Sequence, residues 1–120
     1  MKKRQNFGAW GENLARKALE GKGYEFVTSN FRTQQGEIDL IFWDGPVLVI
    51  CEVKARMNRH FGLPREAVGI GKQQTIARVT EAFLSEQQLW GVPVRFDVVE
   101  ILRDEEGAWR VEHFPHAFEL

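Results

Sequence analysis

The sequence predicts an α/β fold, a mixed central β-sheet flanked by helices in the order αβββαββ. Two observations carry that expectation. Apolar residues recur at helical spacing in two segments, one near the N-terminus and one mid-chain. Around them lie short β-branched and aromatic runs, separated by Gly, Pro and Asp turns. Helices laid on such a sheet form a sandwich around one core. The 120 residues fit one domain spanning the chain, since domains cluster near about 100–150 residues. With 43% hydrophobic and 28% charged residues, the composition is globular, neither disordered nor fibrous.

The elements follow in order. A first helix is expected from about Asn6 to Lys22, with Phe7, Gly11, Leu14, Ala15 and Ala18 on one stripe. Gly21 and Gly23 end it. Tyr24 to Arg32 reads as a strand entering a turn at Thr33-Gln34-Gln35-Gly36. Glu37 to Trp43 and Val47 to Ala55 read as strands joined by Asp44-Gly45-Pro46. Met57 to Gly71 reads as a loop of functional length. A second helix spans Lys72 to Leu89, with Ile76, Val79, Ala82 and Phe83 inward. Val94 to Leu102 and Trp109 to Phe114 complete the sheet, the last strand at an edge.

Several classes are set aside by composition. The longest apolar stretch, Val47 to Cys51, is far short of the roughly 20 residues a membrane helix needs. The basic N-terminus has no apolar run after it, unlike a signal peptide. A lone cysteine, Cys51, forms no internal disulfide and no Cys-based zinc site. The expected compartment is the cytoplasm. The net charge of −1 conceals an uneven distribution. Lys54 to Arg78 holds six basic residues and one acid, whereas Asp97 to Leu120 holds seven acids and two arginines.

The chemistry concentrates in Glu37 to Phe42 and Ile50 to Lys54. Strand side chains alternate faces, so Glu37, Asp39 and Ile41 share one face, as do Glu52 and Lys54. Gly45-Pro46 suits a type II′ turn, in which glycine supplies the positive φ. Such a turn sets Asp39 opposite Glu52 and Glu37 opposite Lys54. A longer loop would change that register, although a shift by two keeps the face. Opposed carboxylates repel, and apolar neighbours desolvate them. A divalent cation is one answer, since Mg²⁺ takes oxygen ligands and keeps several waters. Lys54 would orient or help deprotonate the attacking water, or offset charge on the phosphorus centre. The competing account is ordinary surface pairing, Glu37 with Lys54 and a solvated Asp39 beside Glu52.

These residues resemble a known pattern. Asp39 followed by Glu52-Val53-Lys54 is similar to the D…ExK motif of PD-(D/E)xK nucleases. More closely, the chain resembles the bacterial YraN family, whose members are described as endonuclease-like and distantly similar to Holliday-junction resolvases. Gly8, Gly11-Glu12, Ala15, Leu19, Gly23-Tyr24, Asn30-Phe31-Arg32, Gly36 to Ile41, Glu52 to Arg56, Phe61-Gly62, Lys72-Gln73 and Arg95 to Val98 carry the resemblance. It departs from the superfamily's name in one place: Ile38, not proline, precedes Asp39.

The resemblance implies a restriction-endonuclease-like core and a metal-dependent nuclease acting on nucleic acid, with branched or structured DNA as the expected form. Asp39 and Glu52 would bind Mg²⁺ or Mn²⁺, and Lys54 would assist the attacking water. Glu12 would add an acid from the first helix, and Gln73 a group from the second. At roughly 100° per residue, Glu12 lies beside Leu19 at the edge of the apolar stripe. A junction presents paired strands to cut, so a homodimer is expected.

The remaining candidates are weaker in pattern. Arg56, Arg59, His60, Arg65 and Lys72 follow the motif and would form a phosphate-binding rim. Phe61 is able to stack on a base. Cys51 is expected in the core. His60, His113 and His116 lack metal-ligand spacing and are expected at the surface. Trp10, Trp43, Trp90 and Trp109 are expected as packing residues, and Asp97 as a structural one. Two other function classes stay open: a non-catalytic nucleic-acid-binding module and an assembly protein on the same fold.

Overall fold

The computed structural model describes residues 2–56 and 68–119, with side chains from Gly8 onward. The elements are α1 (Lys2–Gly21), β1 (Glu25–Thr33), β2 (Gly36–Asp44), β3 (Val47–Arg56), α2 (Ile70–Gln87), β4 (Val94–Arg103) and β5 (Trp109–Phe118). The αβββαββ order is the one expected, and most boundaries fall within two residues. The main differences are that α1 begins earlier and that β5 continues through Pro115 to Phe118. An edge strand tolerates proline because one side of its backbone has no ladder to feed.

The five strands run β1-β2-β3-β4-β5 across one sheet. Neighbours are antiparallel except β3 and β4, which are parallel. A parallel pair needs a crossover, and α2 lies in the connection between these two strands. The helices cover opposite faces. Ala15 and Leu19 of α1 pack with Leu40, Phe42, Val49, Cys51 and Val99. Ile76, Val79 and Phe83 of α2 pack with Ile38, Ile41, Leu48, Ile50 and Val98. The inward residues expected on α2 are therefore buried, save that Ala82 is half-buried.

Two local features place the site. The β2–β3 hairpin turns on Gly45-Pro46, with Gly45 at φ +58°. Its ladder runs from Asp44 opposite Val47 to Leu40 opposite Cys51. That is the expected register, and the recorded pairing stops one residue before Asp39 and Glu52. The second feature is a break in alternation. Leu40 and Phe42 face α1 while Ile41 faces α2, yet Ile38 also packs on the α2 side. Strict alternation would have put Ile38 with Leu40. The irregularity therefore falls at Asp39.

Candidate active site

Asp39 and Glu52 meet where β2 and β3 part. The Val53 N–H donates to Asp39 Oδ2 at 2.8 Å, and the Asp39 N–H reaches Glu52 Oε2 at 3.4 Å. Each carboxylate thus meets the neighbouring strand's backbone just beyond the last recorded ladder pair. Glu52 is 1% exposed. Asp39 lines a cleft of about 160 Å³ with Gly8, Gly11, Glu12, Val53 and Ala55, beneath α1. The expectation that Asp39 shares a face with Ile41 is corrected by this: Ile41 packs toward α2. Glu37 pairs with Arg32 on β1, and the recorded β2–β3 pairing does not extend to Glu37 and Lys54.

Electrostatics mark the same spot. Burial, then repulsion from Asp39, pushes the Glu52 carboxyl up to about 7. Burial likewise raises the Asp39 carboxyl, against the Val53 hydrogen bond and the pull of Lys72 and Lys54. Glu12 is raised by burial too, with a hydrogen bond from Asn30 opposing it. Lys54 is half-buried and acts on both Asp39 and Glu52. The donor set therefore suits a hard divalent cation: carboxylate oxygens short of neutralising charge, beside a cleft. Among the described residues, no three metal-ligating side chains are gathered closely enough to hold a metal by themselves.

Glu12 stands at the cleft's edge with its carboxylate turned to β1, where Asn30 Nδ2 donates to Glu12 Oε1 at 3.1 Å. Asn30 has φ +53° within its strand. By the β1–β2 register it would stand opposite Asp39, between Ser29–Leu40 and Phe31–Ile38. Motif spacing alone assigns Asn30 no site role. Its signal was an asparagine inside a strand, because Asn accepts the left-handed conformation more readily than most residues.

The expected rim is distributed differently. Arg56 donates through Nε at 2.9 Å and Nη2 at 2.7 Å to Glu100 Oε2, and Glu100 is fully buried. Lys72 Nζ lies 3.5 Å from Glu52 Oε1, inside the carboxylate centre. Gln73 Nε2 donates to the Val68 carbonyl at 2.7 Å, holding the entry to α2. Arg59, Arg65, His60 and Phe61 lie outside the described residues. Cys51 is buried under α1, as expected.

A second polar cluster lies apart from these carboxylates. Asp97, fully buried, accepts two hydrogen bonds from Arg95 at 2.9 Å, one from the His116 N–H at 3.0 Å, and pairs with His113 Nε2 at 2.7 Å. Arg95 also reaches Asp44 at 2.8 Å and the Tyr24 hydroxyl at 2.6 Å. His113, expected at the surface, is buried here with its side chain 3% exposed. The structural role expected for Asp97 fits this anchoring. Of the tryptophans, Trp90 is 69% exposed rather than packed.

Comparison with known proteins bears out the family resemblance. The model of a family described as Uncharacterised protein family UPF0102 matches residues 11–101. The chain belongs to the UPF0102 family. This is the YraN family that the motifs resembled. A UPF0102 protein of Clostridium beijerinckii is 39% identical over 117 residues, covering 97% of this chain and 95% of the relative. One from Beutenbergia cavernae is 42% identical over 113 residues, covering 94% and 96%. One from Syntrophotalea carbinolica is 38% identical over 117 residues, covering 98% and 94%. The UPF0102 match includes Glu12, Asp39, Glu52, Lys54 and Lys72.

Proposed function

We propose that this UPF0102 protein is a divalent-cation-dependent nuclease that hydrolyses phosphodiester bonds in nucleic acid, with branched or structured DNA as its substrate class. The observation that supports this most is the buried Asp39–Glu52 pair beside a cleft, with Lys54 and Lys72 alongside. Buried like charges destabilise a fold unless something binds them. A hydrolytic cation site gives such a pair a purpose.

Asp39 and Glu52 would hold Mg²⁺ or Mn²⁺, and Glu12, at the cleft's edge beside Asn30, would add an acid from α1. A bound cation supplies charge neutralisation at the phosphoryl oxygen and makes water more acidic. Lys54 Nζ donates to the attacking water, or to a non-bridging phosphoryl oxygen as negative charge builds. The cleft between α1 and the parted strands admits the phosphate. Water is the nucleophile, so no covalent protein intermediate forms.

The test is a panel of labelled single-stranded, duplex, flap and four-way-junction DNAs, and RNA, with Mg²⁺, Mn²⁺ or chelator. Cutting is expected only with the cation and is lost in Asp39→Ala. Binding without cutting, unchanged by metal and by Asp39→Ala, would instead indicate a non-catalytic module.

A further inference from the structure

Lys72 stands in an unusual place. It lies in the first turn of α2, where the helix presents its positive end and no acidic side chain offsets it. A cation there is unfavourable unless something else holds it. What holds it is Glu52: Nζ sits 3.5 Å from Oε1, while Glu52's other oxygen faces the Asp39 N–H. The lysine side chain is 48% exposed and its partner's 2%. One end of the pair is therefore buried in the core and the other is half-exposed to solvent. Lys72 also draws the Asp39 and Glu52 carboxyls down more strongly than the motif lysine, Lys54, does.

We propose that Lys72 is an exchangeable counter-ion: it pairs with Glu52 in the metal-free protein and, when a divalent cation takes that oxygen, is released to a substrate phosphate. This rests on the nuclease reading for its phosphate. A cation and an ammonium both seek the same side of one carboxylate, so they compete. Loading the metal then turns a residue committed within the site into a phosphate contact, and substrate affinity becomes linked to metal occupancy. While paired, Lys72 acts on the metal site through Glu52; once released, it acts on the substrate directly.

The first experiment titrates Mn²⁺ into the full chain by calorimetry, without nucleic acid. Lys72→Ala is expected to tighten Mn²⁺ binding by roughly five-fold, the size expected on removing one nearby like charge. Unchanged or weaker binding overturns the proposal. The second measures the salt dependence of binding to a labelled duplex, in chelator and in Ca²⁺. One released phosphate contact changes the log–log slope by about 0.9. Wild type and Lys72→Ala should share a slope in chelator and differ by about that amount in Ca²⁺. Glu52→Gln, which frees the lysine without metal, should steepen the slope in chelator, and the double variant should not. If Lys72→Ala already lowers the slope in chelator, the lysine contacts phosphate without release and the proposal fails. If no nucleic acid binds in any condition, the nuclease reading falls and the release step with it. Calorimetry still reports separately whether Lys72 competes for the metal. Lys72→Gln repeats both measurements should the alanine variant lower helix stability.

Discussion

Glu52 bears its charge where water scarcely reaches it, and that sets a pH signature. Its carboxyl titrates near 7 when folded, against an ordinary value of 4.5. The folded chain therefore binds a proton that the unfolded chain has released between those values. Stability falls as pH rises through that window and levels off above it. The loss is on the order of 3 kcal/mol, and Asp39 shifts in the same direction. Denaturant unfolding in chelator should show a higher midpoint at pH 5 than at pH 8. Glu52→Gln should remove most of that difference, and a flat profile in the wild type would contradict it. Asp97 behaves oppositely. Burial works against its ionisation, but hydrogen bonds from His113, Arg95 and the His116 N–H outweigh it and hold the carboxyl below the usual range. Its contribution is present above the ordinary carboxylate pKa and is lost as pH falls through the folded value. Asp97→Ala leaves Arg95 partly buried with a shortened partner set, and should cost roughly 3 kcal/mol in denaturant unfolding. The motif residues were legible from spacing; this anchor was not. The β4–β5 register sets His113 opposite Val99, diagonal to Asp97 on one face, whereas a four-residue Asp104–Gly107 turn would set Glu112 there instead.

Helices and strands were legible because their periods differ and their turns are explicit. Leu19 and Ala15, or Ile76, Val79 and Phe83, fall at helical spacing and are buried as that spacing requires. What period alone does not reveal is a strand that leaves its partner. At Asp39 the alternation of β2 breaks, β3 parts from it, and Asn30 on β1 turns left-handed. Each of these depends on contacts between segments far apart in sequence. The start of β2 is fixed by α2 in the same way. A Cβ on Gly36 would lie 2.5 Å from Thr75 Cγ2. Gly36→Ala should therefore destabilise the protein by about 1–3 kcal/mol. Thr75→Ser removes the opposing methyl and should recover part of the loss, the remainder staying because Gly36 has φ +157°, which side chains rarely adopt, measured by thermal unfolding of the three variants. Equal loss with and without Thr75→Ser would place the strain elsewhere.

Across the whole molecule, the charge asymmetry in the sequence takes on a different meaning. Arg56 and Lys72, which looked like surface cations, are committed to Glu100 and Glu52. Two of the acids in the C-terminal segment, Asp97 and Glu100, likewise serve the interior. Among the described residues no helix is long and apolar enough to cross a membrane. On the proposed nuclease reading, one site per chain calls for two copies to cut the paired strands of a junction. Light scattering across a concentration series should report a dimer, and a strict monomer at high concentration would count against the resolvase comparison. The central claim is that Asp39, Glu52 and Lys54 form a cation-dependent hydrolytic centre. Its most direct measurement is cleavage of a four-way-junction DNA in Mg²⁺ or Mn²⁺ by the wild type, Asp39→Ala and Lys54→Ala, each checked for folding. The account predicts cutting by the wild type that chelator abolishes, with a loss of at least about 100-fold in both variants. Cutting that persists in Asp39→Ala, or a folded wild type that cuts no nucleic acid with either metal, would contradict it.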